Sequence, residues 1–281
     1  MKTWKKIVLG VSLISLFLGG GLVAWGYSQG GLTDLQNKTI SEQDYVKKEV
    51  KDFNKIDIKS SSYNVLIKNG DVDKATLSYY QKTKNPIDTS VKDGQLTIND
   101  NNSELDSTSN KHINFFGLKD LVRLSTLNEE VRNKTIVITL PKKQTIDFLK
   151  VDLATGNLDL SNSTIKQADI NLNVGDLTFT KMIVSNLKAN LDVGSVDSNH
   201  TLFTNSDLSI AMGDYSGDNL IFNGHNKLDV TSGDIEIVLK DYTLNVQADS
   251  HSGEVDITNN LKISKDNTLT ITSDLGDITV E

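Results

Sequence analysis

Leu153-Ala-Thr-Gly-Asn-Leu-Asp-Leu160, Leu172-Asn-Val-Gly-Asp-Leu-Thr-Phe179 and Val230-Thr-Ser-Gly-Asp-Ile-Glu-Ile237 are one phrase written three times. Its glycine recurs as Gly156, Gly175, Gly194, Gly213, Gly233, Gly253 and Gly276, at spacings of 19, 19, 19, 20, 20 and 23 residues. A fixed period near 20 residues is the mark of a stacked-repeat architecture, in which one unit cannot bury its apolar face alone and each coil is completed by its neighbours. Glycine suits the corner of such a coil, where the backbone bends with positive φ or runs close against the next chain segment.

Aligned on the glycine, three columns are apolar in coil after coil. Three residues before it stand Leu153, Leu172, Leu191, Ile210 and Val230. Two after it stand Leu158, Leu177, Val196, Tyr215, Ile235, Val255 and Ile278, and nine after it Ile165, Val184, Phe203, Phe222 and Tyr242. Between the columns, polar and apolar residues alternate with period two, as in Val151-Asp-Leu153, which is the strand period. Three short strands in each 19–20 residues predict an all-β fold, a single-stranded right-handed parallel β-solenoid with Leu158, Leu177 and Val196 on one face. Seven coils at about 4.8 Å each give a stack of roughly 34 Å. A leucine-rich repeat has a similar period but needs a helical return and a Leu-x-x-Leu-x-Leu phrase. Neither is present.

The same vocabulary opens the chain more loosely, in Ile56-Asp-Ile58, Val65-Leu-Ile67, Ala75-Thr-Leu77, Leu96-Thr-Ile98 and Ile136-Val-Ile138. Residues 50–145 are therefore expected to form irregular opening coils that cap the regular stack of residues 146–281, since a bare solenoid end exposes apolar surface and unpaired backbone. A polar insertion, residues 99–135, interrupts them and holds a predicted short helix near Lys119 to Val131. At the other end Ile278-Thr-Val280 is expected to be the last, uncapped edge strand. Function is expected where the period breaks: the insertion, the long spacing before Gly276 and the edge at Glu281.

Lys2, Lys5 and Lys6 form a basic tip, residues 1–6, before 21 uncharged residues, 7–27. As a helix these span about 31 Å, one bilayer core. Trp4, Trp25 and Tyr27 sit near its two ends, where aromatic rings favour the interface. A cleavable signal peptide is the rival, with a shorter apolar run and a weak site at Ala24-Trp-Gly26. The reading taken is one transmembrane signal-anchor helix, followed by a polar stalk over 28–49, with the C-terminal domain extracytoplasmic at the cell membrane because the flanking lysines stay inside. The chain has no cysteine, so disulfides, thiolate chemistry and a lipid anchor on cysteine are excluded.

Residues 146–281 carry 8 basic and 21 acidic residues, against 18 and 16 in residues 28–145. An acidic stack repels nucleic acid, which is not expected as a partner. Asp214, Asp234 and Glu254, each following a glycine, are weak candidates for a calcium ladder on consecutive coils. Asn157 and Ser195 break that ladder, and the Gly-Gly-x-Gly-x-Asp calcium repeat is absent, so these side chains are read as turn formers bonding their own backbone. His112, His200, His225 and His251 are scattered without metal spacing, and Arg123 and Arg132 are the only arginines. No phosphate loop, dinucleotide fingerprint or nucleophile motif occurs. No catalytic residue, metal or cofactor is assigned.

The order of an N-terminal membrane segment, Ile56-Asp-Ile58 with Val65-Leu-Ile67, Gly94-Gln-Leu-Thr-Ile98, Ile138-Thr-Leu-Pro-Lys142 and the repeated Gly-Asp phrases resembles the β-strand-repeat family of adhesin-like proteins, which includes the LiaG-like envelope proteins of Gram-positive bacteria. The resemblance covers about residues 50–281. It implies a cell-envelope protein of undefined biochemical function, some members being associated with envelope stress, and it supplies no catalytic residues. The expectation is a membrane-anchored, non-catalytic, adhesin-like interaction or scaffold module with an envelope protein or glycan as partner. An accessory of an envelope-stress system that binds membrane proteins, and a carbohydrate-active enzyme of the parallel β-helix type, are the alternatives.

Overall fold

Strands of three lengths alternate along the chain and stack in register with their equivalents one coil away. In the computed structural model, which describes residues 43–82, 86–100 and 134–281, each regular coil contributes a long strand, a four-residue strand and a two- or three-residue strand. Ala168–Val174, Leu177–Thr180 and Ile183–Ser185 are one such turn. Glycine bends the chain between the first and second face. Left-handed residues at Asn162, Lys181, His200 and Asn219 bend it into the third, and Asn186, Asn205 and Gly224 return it to the first.

The three apolar columns meet as expected. Leu153, Leu172, Leu191, Ile210 and Val230 are parallel neighbours on the first face. Leu158, Leu177, Val196 and Tyr215 are neighbours on the second, and Ile165, Val184, Phe203 and Phe222 on the third. All are buried. Phe203 packs edge-on to Phe179 at 5.3 Å and stacks on Phe222 at 5.8 Å, the geometries that suit aromatic quadrupoles. Tyr215–Asn223 runs through the second and third faces without a break, joining them into one 15-stranded sheet beside the 10-stranded first face. Among the described residues there is no helix.

Gly194 shows why glycine recurs at the corners of the regular coils. Its φ is +148°, and a Cβ added to it would lie 1.9 Å from the carbonyl oxygen of Gly175 in the adjacent coil. The close approach lets the Gly194 N–H donate to the Met212 carbonyl at 2.9 Å, continuing the ladder through the bend.

Coil order departs from sequence order at both ends. The expected edge strand Ile278–Val280 is interior: it pairs with Ile235–Leu239 on one side and Val255–Ile257 on the other. Thr268–Leu275 likewise lies between His225–Ser232 and Asn245–Ser252. From the Gly233 coil the chain skips one position, forms the outermost coil around Gly253, then returns to fill the gap with the Gly276 coil. The 23-residue spacing is this return. At the opposite end Gln95–Asn99 and Thr135–Pro141 form a coil beyond Lys55–Ser60 and Asn64–Gly70, which pair inward with Phe148–Leu153 and Leu158–Ser161. Asp88–Lys92 and Thr76–Lys82 close that outer coil by antiparallel pairing.

Two boundaries shift. Gln43–Glu49, taken as the end of the stalk, is a strand at the sheet edge beside Thr76–Lys82, with the Tyr45 ring 4.9 Å from Tyr80 and Val46 packed on the core. At the start of the insertion, Asn99 ends a strand and Asp100 is buried, accepting hydrogen bonds from Ser60 Oγ (3.1 Å), Ser61 N (3.2 Å) and Ser61 Oγ (3.0 Å). Its other end is also strand, as Thr135 begins Thr135–Pro141. The expected anchor at 7–27 and the short helix near 119–131 lie outside the described residues. The unit Asp44–Glu281 holds every buried apolar side chain among the described residues, so it has the core a domain needs to fold by itself.

Candidate functional site

Beside the corner glycines, the side chains of Asn157, Asp176, Ser195, Asp214, Asp234 and Asp277 reach one coil across, as does Asn64 in the opening coil. Asn64 Oδ1 accepts from the Asn157 N–H (2.9 Å), Asn157 Oδ1 from Asp176 (3.0 Å), and Asp176 Oδ1 from Ser195 (3.0 Å). The chain of bonds continues through Ser195 Oγ to Asp214 (3.4 Å), Asp214 Oδ1 to Asp234 (2.9 Å), Asp234 Oδ1 to Asp277 (2.9 Å) and Asp277 Oδ1 to Glu254 (2.8 Å). The calcium-ladder candidates Asp214, Asp234 and Glu254 are therefore not on consecutive coils, because Asp277 stands between the last two. One oxygen each of Asp214 and Asp234 is engaged by a main-chain N–H. Such bonds to a carboxylate are charge-assisted, which offsets the repulsion of stacking like charges about 4.8 Å apart. Among the described residues no group of three or more His, Asp or Glu side chains is placed to hold a metal ion.

Asp159 is the most perturbed acid. It lies on the second face between Leu66 and Thr178 of adjacent coils and is 2% exposed. Among the described residues neither of its oxygens has a hydrogen-bond partner. Burial pushes its carboxyl up to about 8, and the charge of Asp176 adds to the effect. A carboxyl kept neutral in this way is a familiar general acid, but Asp159 is buried between Leu66 and Thr178 away from solvent, and it reads as a fold element.

A groove of about 180 Å³ runs along the outside of the third face. Its floor is Ile183, Leu202 and Ile221, in register on successive coils, with Met182 and Thr201 below. Its rim is the corner column Lys181, His200 and Asn219, and Lys240 follows Ile221 in the floor column. Among the described residues neither Lys181 nor Lys240 makes an ion pair, whereas Lys166 and Lys227 are held by Asp147 and Asp229. His200 Nδ1 lies 2.5 Å from Asn199 Oδ1 and its Nε2 lies 3.3 Å from Asn219 Nδ2. Lys181 and His200 occupy left-handed backbone, with φ of 54° and 51°, where asparagine serves at Asn162 and Asn219. The left-handed form costs a non-glycine residue roughly 1–2 kcal/mol, least for asparagine. Sequence reading passed over this groove, although the signal was present. Ile183, Leu202 and Ile221 stand eight after their glycines, directly before an inward column, and two adjacent apolar columns in a strand cannot both face the core.

The second exposed feature is the outermost coil, Asn245–Ser252 and Val255–Ile257. Val255 belongs to an inward column yet is 41% exposed, because among the described residues no coil covers it. Asn245–Ser252 is the end strand of its sheet. His251 is exposed on this coil, and His225 Nδ1 lies 3.0 Å from Thr268 Oγ1. His112, Arg123 and Arg132 lie outside the described residues.

The sequence profile of the family described as Toastrack DUF4097 matches residues 53–281. No protein of curated function matches the sequence significantly. Among crystal structures, a candidate cell adhesion protein from Clostridium sporogenes is similar at 17% identity over 85% of this chain and 99% of its own, with a TM-score of 0.37. A candidate adhesin from Bacteroides fragilis is similar at 15% identity, over 85% and 97%, with a TM-score of 0.39. Another from Parabacteroides distasonis is similar at 15% identity, over 85% and 98%, with a TM-score of 0.38. Likenesses at these scores carry nothing further about this chain.

Proposed function

This chain belongs to the Toastrack DUF4097 family, and from that premise we propose that it is a non-catalytic, adhesin-like interaction module, held at the bacterial envelope by residues 7–27 and displayed outside the cytoplasmic membrane. Residues 28–42 serve as the spacer, and the Asp44–Glu281 unit is the displayed part. The basic tip before an uncharged span supports the orientation. Asp214 and Asp234, both calcium-ladder candidates, each have one oxygen engaged by a main-chain N–H group, which supports a structural role for them.

The observation that carries the binding reading is the outermost coil. Asn245 donates its N–H inward to Asn267 (3.0 Å). Peptide groups alternate in direction along a strand, so those of Val246 and Ala248 face away from the stack, where among the described residues no strand pairs with them. The cysteine-free chain allows a direct test in intact cells. Gln247→Cys is expected to react with a membrane-impermeant maleimide before lysis, and a photo-crosslinker at Gln247 to capture an envelope partner. Ala248→Pro removes an outward N–H, which an edge strand tolerates, and is expected to abolish capture. Labelling only after lysis contradicts the export, and capture unchanged by Ala248→Pro contradicts the edge.

A further inference from the structure

We propose that the groove on the third face binds a single-chain anionic amphiphile: an alkyl chain laid along Ile183, Leu202 and Ile221, with its carboxylate or phosphate head held by Lys181 or Lys240. This inference is independent of the anchor and of the strand-pairing edge.

Three observations converge. First, the floor offers apolar side chains and no free main chain: the N–H groups of Ile183, Leu202 and Ile221 all donate to the preceding coil, to Ser163, Met182 and Thr201 carbonyls. A peptide would find no backbone to pair with, and a sugar no aromatic platform among the lining residues. An alkyl chain needs neither. Second, the groove is cationic on an otherwise acidic stack, with Lys181 on the rim and Lys240 at the end of the floor, and both lysines are without ion pairs among the described residues. The carboxylates next in sequence to Asn219 and Lys240 have partners of their own: Asp218 accepts from Asn199 Nδ2 at 3.4 Å and Asp241 from the Thr243 N–H at 2.9 Å. Third, Lys181 and His200 stand at strained corner positions where asparagine fits better, so the groove carries side chains that the fold does not favour. Lys181 to Lys240 is three coil steps, about 14 Å, the length of an extended chain of about ten to twelve carbons with bonds of about 1.5 Å.

The test uses the folded Asp44–Glu281 unit, its melting transition checked first, and dodecanoate below its micelle concentration. Methyl resonances of Ile183, Leu202 and Ile221 are expected to shift on titration. Octanoate should bind at least about tenfold more weakly, since each methylene withdrawn from water is worth up to about fourfold. Dodecanol, without the charge, should bind about fivefold more weakly. Lys181→Asn is expected to weaken dodecanoate binding about fivefold while raising the melting temperature by roughly a degree or two, because asparagine relieves the corner. A purely structural lysine would not give that split. Leu202→Gln should reduce binding more than about tenfold, and should that variant fail to fold, Lys181→Asn and Lys240→Gln still decide. Absence of binding, shifts confined to other coils, or affinity indifferent to chain length and to both lysines would overturn the proposal. So would capture by anionic phospholipid vesicles without monomer binding, which would make the bilayer the ligand.

Discussion

Gly194 and Asp159 are the two residues at which the stack is least forgiving, for opposite reasons. At Gly194 the neighbouring carbonyl oxygen occupies the volume a side chain would need. Gly194→Ala is expected to cost more than about 4 kcal/mol and to lower the melting temperature by roughly 10 °C or more; calorimetry checks it, and a loss of only a degree or two would mean that the corner yields. Asp159 is a buried acid whose proton the fold retains. Its carboxyl titrates ordinarily at 3.8 and in the folded chain at about 8. Between those values the native state binds a proton that the unfolded chain has released, so stability falls as pH rises, by about 1.4 kcal/mol per unit, and levels off above the folded value. Asp159→Asn should remove that slope, so its melting temperature relative to the parent should climb from pH 5 to pH 8. An equal offset at both would contradict the assignment. The sequence showed which residues are glycine and which follow them with oxygen, and so located the corners. It did not show that Asn157, Asp176 and Asp214 bond the next coil, because that depends on which coil is next.

Within the strands, the inward columns were legible because the same chemistry returns at the same offset, and Leu158, Leu177 and Val196 fall on one face as that pattern requires. The rank of the last two coils was not legible. A coil of about 20 residues fits against either neighbour, and the offsets are the same whichever it meets. The structural order gives the element its own test. Ile278, between Ile235 and Val255, should behave as core, and Ile278→Ala should cost about 2–4 kcal/mol. Val255→Ala, on the uncovered coil, should cost less than about 1 kcal/mol. Chemical denaturation of the two variants checks this. Equal costs, or the reverse ranking, would return Ile278–Val280 to the edge.

Across the whole molecule, the two ends of the stack are managed differently. The N-terminal end is closed by antiparallel strands, Thr76–Lys82 and Asp88–Lys92, which need no further coil. At the other end the last stretch of sequence is inserted one coil inward, leaving Asn245–Ser252 and Val255–Ile257 as the uncovered coil with half-buried Val246, Ala248 and Ile257. The binding reading rests on this inversion, since it decides which strand is presented. Because the chain contains no cysteine, paired substitutions report on it cleanly. Glu236 and Thr279 are register partners on adjacent coils, within the roughly 4.4–6.8 Å between Cα atoms that a disulfide spans. Asp256, the neighbour of Glu236 if coils followed sequence order, is instead the partner of Thr279 on the coil beyond. Under mild oxidation Glu236→Cys with Thr279→Cys is predicted to cross-link, and Glu236→Cys with Asp256→Cys to stay reduced; a disulfide in the second pair and none in the first would contradict the account.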